Sequence, residues 1–446
     1  MTTRLFFSVG EPSGDHHAAR LIRCLRERGH KIGERGQGIG IADSGNVTGG
    51  VGRPVTPDYS FTGFGGPKMA AAGVPLLTDL TRHAVVGILE VVPKIRQFYA
   101  FADQAEACFA RGEVDAVVLV DFPGFNWHIA RRARRYGIPV LYYCPPQLWA
   151  WGGWRMRKLR RTVDHVLSVL PFENDFYRDR GVSCEFVGHP FFDDLAESDL
   201  DAATMARFRS DDSPRVAILP GSRTGEVEAN FPVQLAAAAR LHDRHPKLRF
   251  SVACHRDPLA LRCREQIERF NRGRTVPVPM DVYVNRTAEI ITASDAAMMV
   301  SGSVSLELMA RRTPAAVMYR VSRSLNFIGR RLVNVSSITL PNLIAGRQIF
   351  PEMVSAGDPE PAIEFLCESI DRMLTDRFYR QNLQRDLDEL ASQYATAGAT
   401  EAAADAVVRW LAGHIQSDSG DFSTTVAPDV SHDPVSTNQT IGNRAA

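Results

Sequence analysis

The segment Leu5–Leu25, LFFSVGEPSGDHHAARLIRCL, decides how the chain is read. Its apolar run Leu5–Val9 breaks at Gly10, and Gly10-Glu11-Pro12-Ser13-Gly14-Asp15 leads into a helical pattern. Strand, glycine-bearing turn and helix is how many α/β proteins offer free N–H groups to a phosphate. The construction returns at Arg215–Glu228, RVAILPGSRTGEVE. Further short apolar runs alternate with longer helical patterns: Ala116–Val120, Val140–Tyr143, His165–Val169, Val216–Leu219, Arg249–Ala253, Ala296–Val300 and Ala315–Met318. Several are continuous rather than alternating, as strands buried on both faces of a parallel sheet are. A βαβ rhythm stated twice predicts an α/β fold of two similar halves facing across a cleft.

The length of 446 residues fits two domains better than one core. The composition shift at Phe191–Ser213 is the expected boundary. That gives a first domain over 1–190, a second over 205–350 and C-terminal helices over 351–415. Residues 33–60, rich in Gly with Pro54 and Pro57, read as a flexible surface insertion, and 416–446 as a disordered tail. A net charge of +1 gives no reason to expect nucleic acid. Seven scattered cysteines without a CxxC pair suit reduced thiols and make zinc unexpected. The first strand begins too near Met1 to leave room for a signal peptide. No apolar run approaches the roughly 18 residues of a membrane span, which still allows a protein lying on a membrane surface.

Gly10 and Gly14 have the wrong spacing for the G-x-G-x-x-G dinucleotide fingerprint. Ser13 can cap the following helix and Asp15 favours its dipole, so a plain capped turn is one reading. Gly221, Ser222 and Arg223 follow a buried strand. Glycine permits close backbone approach and Arg223 adds a cation suited to phosphate, though an exposed turn arginine reads equally well. Ser301-Gly302-Ser303 opens another helix start, with Glu307 placed either to take a ribose diol or simply to favour the helix dipole. Asp121 ends a strong buried run. Phe122, Pro123 and Phe125 would shield its carboxyl and raise its pKa towards general-base range; a turn or helix-cap aspartate is the plain alternative. Trp149, Trp151 and Trp154 alternate with Arg155, Arg157, Lys158, Arg160 and Arg161, a composition suited to nucleic acid or to a membrane interface; a partly buried tryptophan turn before a solvated basic helix is the plain alternative. The stretch Val85–Phe101 reads as a core helix or as a lipid-facing surface.

Taken together, GEPSGDHHAARLI, FTGFGGPKMAAAGV, VVGILEVVPKI, DFPGFN, YYCPPQLWAWGGWR, LPFENDFY, FVGHPFFD, LPGSRTGEVE, SGSVSLELM and LPNLIAGRQIFPE resemble the lipid-A-disaccharide synthase family, in the family's order from about Phe6 to Glu352. The resemblance implies a GT-B fold: two Rossmann-like domains with parallel sheets. It implies an inverting transfer of 2,3-diacylglucosamine from UDP-2,3-diacylglucosamine to the 6-hydroxyl of 2,3-diacylglucosamine 1-phosphate, giving a β-1,6-linked disaccharide 1-phosphate and UDP. Asp121 is then the candidate base; Gly124 stands where the family often has a second acidic residue. Gly221, Ser222, Arg223, Ser301, Gly302, Ser303, Glu307 and Asn342 fall on the donor side. Ser13, Gly14 and Asp15 fall on the acceptor side, with the helix start offered to the acceptor's sugar or 1-phosphate. No metal and no cofactor is expected; the D-x-D strings Asp199/Asp201 and Asp386/Asp388 look helical. The implied setting is the cytoplasmic face of the inner membrane of a bacterium with an outer membrane, and a homodimer is open. A GT-B enzyme acting on soluble UDP-GlcNAc and a non-catalytic nucleotide-sugar binder are the alternatives.

Overall fold

The computed structural model describes residues 2–35, 58–83, 95–323 and 337–418. The first domain is a parallel sheet of β1 (Thr2–Val9), β2 (Asp58–Gly65), β3 (Leu76–Asp79), β4 (Ala116–Val120), β5 (Val140–Tyr143), β6 (His165–Ser168) and β7 (Cys184–Phe186), in the order β3-β2-β1-β4-β5-β6-β7. The second is a parallel sheet of β8 (Arg215–Leu219), β9 (Arg249–Cys254), β10 (Met280–Val284), β11 (Ala296–Met299), β12 (Ala315–Arg320) and β13 (Glu352–Ser355), in the order β10-β9-β8-β11-β12-β13. Helices cover both faces, so central strands such as β4, AVVLV, are buried at every position.

Both sheets reverse direction beside their first strand, between β1 and β4 and between β8 and β11. Ligands of open α/β sheets bind beyond the carboxyl ends at such a switch point. Register fixes what meets there. Val9 pairs with Val120, so the Gly10–Glu11 turn lies beside Asp121. Leu219 pairs with Met299, so Pro220–Arg223 lies beside Val300–Ser303.

The domain boundaries need correction. Phe192 already belongs to the core of the second domain. Helices Glu360–Thr375 and Arg377–Tyr394 pack on that core, through Leu366, Ile370 and Leu387. Helix Ala399–Asp418 instead returns to the first domain, where Ala403, Val407 and Leu411 pack with Leu21 and Leu25. The predicted unit 351–415 is therefore divided between the two cores. Helix Pro12–Arg35 and β2 also take the ends of the predicted insertion; its interior, residues 84–94 of the apolar stretch and the tail from 419 lie outside the described residues.

Candidate active site

Asp121 stands at the end of β4 in an unusual backbone. Asp121 and Phe122 are consecutive residues with positive φ, 47° and 45°. Each such residue costs on the order of 1–3 kcal/mol, so the surroundings must enforce it. They do so through the Asp121 carbonyl, which accepts from Tyr142 Oη at 2.7 Å and from Asn126 Nδ2 at 2.7 Å. Asn126 is fixed in turn by Ser8, whose Oγ donates to Asn126 Oδ1 at 2.6 Å. Gly10 completes the corner: a Cβ there would come within 2.1 Å of the Phe122 ring. Helix Pro123–Arg135 starts immediately afterwards.

This corner opens into a cavity of 460 Å³ lined largely by apolar residues, among them Phe98, Phe122 and Phe125, together with Tyr99, Glu11 and His128. Burial, then the nearby Glu11 carboxylate, pushes the Asp121 carboxyl up to about 6. The shielding expected of Phe122, Pro123 and Phe125 is thus present, since all three line the cavity. Glu11 is the residue the sequence reading missed. It belongs to a quoted motif, but its approach to Asp121 depends on β1 and β4 being neighbours.

The acceptor-side trio is placed differently from expectation. Helix Pro12–Arg35 begins before Ser13, so Ser13 is not its cap; it is an exposed first-turn residue. Gly14 is buried. Asp15 is buried too, and its carboxylate accepts from the backbone N–H groups of Gly66 at 2.8 Å, Lys68 at 2.9 Å and Met69 at 3.1 Å. It shapes the turn after β2.

In the second domain the Gly221–Arg223 turn carries its own anion. Glu226 Oε2 accepts from the Ser222 N–H at 3.0 Å and the Arg223 N–H at 3.2 Å, and Arg223 Nη1 donates to Glu226 Oε1 at 3.1 Å. The N–H groups expected to stand open for phosphate are those of a capping box. Gly221, with φ 117°, is glycine for the same reason: a Cβ would come within 2.7 Å of the Glu226 Cβ. Arg223 itself is exposed, and Arg256 reaches the Ser222 carbonyl at 3.4 Å, bringing a second guanidinium to the turn.

Gly302 and Ser303 are exposed at the start of helix Val304–Ala310, while Ser301 Oγ donates to the Ile338 carbonyl at 2.6 Å. Glu307 lines a 630 Å³ cavity together with Asp194, Asn285, Arg286 and Thr287. Burial raises its pKa, and Arg311 Nε holds its Oε1 at 3.0 Å. Asn342 is a correction. Its Nδ2 donates to the Phe350 carbonyl and Glu352, and its Oδ1 accepts from the Ile349 and Phe350 N–H groups. Every hydrogen-bonding position of this buried amide is taken by its own loop, leaving none for a donor sugar. Asp199 and Asp201 lie in a non-helical linker, with Asp201 capping the next helix. Asp386 and Asp388 do lie in a helix, paired with Arg347 and Arg312.

With this geometry in place, relatives can be compared. The family model for lipid-A-disaccharide synthetase matches residues 5–404. The chain is 35% identical over 411 residues to the lipid-A-disaccharide synthase of Myxococcus xanthus, covering 92% of this chain and 97% of the relative. The chain belongs to the lipid-A-disaccharide synthetase family. The Geobacter sulfurreducens member is 32% identical over 416 residues, covering 92% of this chain and 97% of its own. Among solved structures, the Neisseria meningitidis UDP-GlcNAc 2-epimerase bound to UDP-GlcNAc matches with a TM-score of 0.57 at 12% identity, covering 92% of this chain and 100% of the other. The calicheamicin glycosyltransferase matches at 0.52 and 12% identity, covering 93% and 99%. At such identities the likeness concerns the fold alone, which is GT-B.

The tryptophan-rich segment and the apolar stretch each divide between interior and surface. Trp149 is held inside, its Nε1 donating to the buried Glu173 at 2.9 Å, whereas Trp151 and Trp154 stand 49% and 66% exposed. Arg155 stacks over Trp151 at 4.5 Å. Of the apolar stretch Val85–Phe101, the described part is divided: Ile95 and Tyr99 are exposed, while Phe98 packs between Phe101, Phe122 and Phe125. Phe98 therefore serves the cavity wall rather than an outer lipid-facing surface.

Proposed function

We propose that this chain joins two acylated sugars, transferring 2,3-diacylglucosamine from its UDP donor to the 6-hydroxyl of 2,3-diacylglucosamine 1-phosphate. The observation that carries the reading is a raised carboxyl, Asp121, next to Phe122 and Glu11 of an apolar cavity's lining and at a sheet switch point. Ionised Asp121 removes the proton of the acceptor 6-hydroxyl as its oxygen attacks the donor's anomeric carbon. The bond to the diphosphate breaks on the opposite face, so configuration inverts and UDP departs. Arg223 and Arg256 supply positive charge for that diphosphate. Glu307 and its 630 Å³ cavity take the ribose and base. The apolar cavity favours acylated over bare sugars.

Exposed Trp151 and Trp154 beside the basic helix Met156–Thr162 suit the anionic cytoplasmic face of the inner membrane. No helix among the described residues is long and apolar enough to cross a membrane. Product analysis with both diacyl substrates tests the reaction: a disaccharide 1-phosphate and UDP are expected. Comparable turnover of non-acylated UDP-GlcNAc would overturn the lipid reading.

The occupied turn at Gly221 has its own consequence. Glu226→Ala is expected to cost about 1 kcal/mol of stability through the lost cap. It is also expected to tighten UDP binding, because the diphosphate no longer competes with a resident carboxylate. Calorimetric titration with UDP checks this; weaker binding would mean that the capping box builds the site.

A further inference from the structure

The cavity beside Asp121 is largely apolar, and the helix that carries its lining residue His128 continues into a run of arginines. His128 lines it, with its ring 5.2 Å from that of Tyr99. One turn further along helix Pro123–Arg135 is Arg131. Burial first, then Arg131, Lys158 and Arg132, lower the His128 imidazole from its ordinary value. Arg132 is committed elsewhere, to Asp103 at 2.7 Å and Glu106 at 2.8 Å. Arg134 and Arg135 on the same helix are paired as well, with Asp164 and Glu106. Arg131 is different: it has no acidic partner among the described residues, and neither have Lys158 and Arg155. Lys158 sits over the Trp127 ring at 5.1 Å; Arg155 lies over Trp151 at 4.5 Å and donates to the neutral carbonyls of Trp151 at 3.1 Å and Gly152 at 3.4 Å. Burial and the charges of Arg131 and Arg155 lower the Lys158 ammonium. Three like charges thus share one locality in a chain whose 52 basic and 51 acidic residues nearly balance. Such repulsion is relieved by an anion bound between them.

We propose that Arg131, Lys158 and Arg155 form a phosphomonoester-binding subsite at the mouth of the Asp121 cavity, and that it takes the 1-phosphate of the acceptor. This rests on the function proposed above and moves the phosphate away from the Gly10–Asp15 turn. That turn carries Glu11 next to Asp121, and a phosphate dianion there would meet two carboxylates. With the phosphate among the cations and the 6-hydroxyl at Asp121, the acceptor lies along the cavity. Its charged end is then far from the base, and its acyl chains face Phe98, Phe122 and Phe125.

An anionic lipid headgroup offers the same phosphate chemistry, and the test separates the two. The variant is Arg131→Gln with Lys158→Gln. It is assayed in non-ionic detergent micelles with 2,3-diacylglucosamine 1-phosphate and with the same acceptor lacking phosphate. Wild type is expected to favour the phosphorylated acceptor at least tenfold in kcat/KM. The variant should lose that preference through a raised KM for the phosphorylated acceptor alone, while UDP affinity by calorimetry and the melting temperature stay at wild-type values. Arg131→Lys with Lys158→Arg should restore the preference. A variant that keeps the preference in micelles but binds phosphatidylglycerol vesicles more weakly would assign the cations to a lipid headgroup and overturn the proposal. An unchanged preference with unchanged vesicle binding would overturn it too. Wild type that forms no disaccharide from either acceptor would overturn the underlying function instead.

Discussion

Asp121→Asn is expected to bind UDP with wild-type affinity and to lose turnover by roughly 10²- to 10⁴-fold, the usual worth of a positioned general base. Asparagine fits the same space and leaves the carbonyl clamp of Tyr142 and Asn126 in place, so the loss reports proton transfer rather than a collapsed corner. The pH profile sharpens the test. With the carboxyl pushed up to about 6, wild-type kcat/KM should climb through that pH and level off above it; the residual activity of Asp121→Asn should show no such step. Stability should move the opposite way. A carboxyl whose folded pKa is raised favours the folded state in its protonated form. That contribution is complete below about pH 4 and is lost as pH rises through about 6. Wild type at pH 8 therefore carries an unfavourable buried charge on the order of 1–3 kcal/mol. Asp121→Asn should melt close to wild type at pH 4 and above it at pH 8. Equal melting at both would mean that Asp121 is solvated and unfit as a base.

The same residue shows how far the sequence reaches. A carboxylate directly after a continuous apolar run is visible without coordinates, because a strand buried on both faces leaves one side chain at its open end. The eight strands read from such runs are all interior to their sheets. Four of the five missed, β3, β7, β10 and β13, are the edges, where half-buried positions break the apolar run. The fifth, β2, is interior but interrupted by glycine, DYSFTGFG. Site residues divide along another line. Asp15 and Asn342 stand in motifs that resemble the family's and read as acceptor-side and donor-side residues, yet Asp15 accepts from backbone N–H groups of the turn after β2 and Asn342 is taken up by the backbone of Ile349 and Phe350 and by the Glu352 carboxylate. A motif records what a loop needs as well as what a ligand needs, and spacing does not separate the two. Glu11 and the unpaired Arg131 and Lys158 show the converse. Their importance comes from neighbours brought close by strand order and helix packing.

Asp193→Ala is expected to be the most destabilising change in the linker, by about 3–5 kcal/mol, the range for stripping a buried charged acceptor from its donors. Its Oδ1 accepts from the Gly398 N–H at 2.6 Å and the Ala399 N–H at 3.1 Å; its Oδ2 accepts from the Thr400 N–H at 2.7 Å and Thr400 Oγ1 at 2.5 Å. These are the orphan donors at the start of helix Ala399–Asp418, and with the carboxylate removed those of Ala399 and Thr400 stay buried and unpaired. The position matters more than the count. Phe192, the preceding residue, belongs to the second core, while Ala403 and Val407 of the helix belong to the first. Asp193 therefore joins the descending linker to the returning helix and fixes the two domains across the cleft. Asp194 next to it pairs with His16 and Arg20 in a partly exposed site, where replacement should cost about 1 kcal/mol or less. Urea denaturation of the two alanine variants gives the comparison. Hydrogen exchange should show residues 399–418 opening first in Asp193→Ala, and the KM values for donor and acceptor should rise together because both halves of the cleft lose their register. Exchange confined to the linker, with helix 399–418 still protected, would mean that apolar packing on Leu21 and Leu25 holds the helix without the carboxylate.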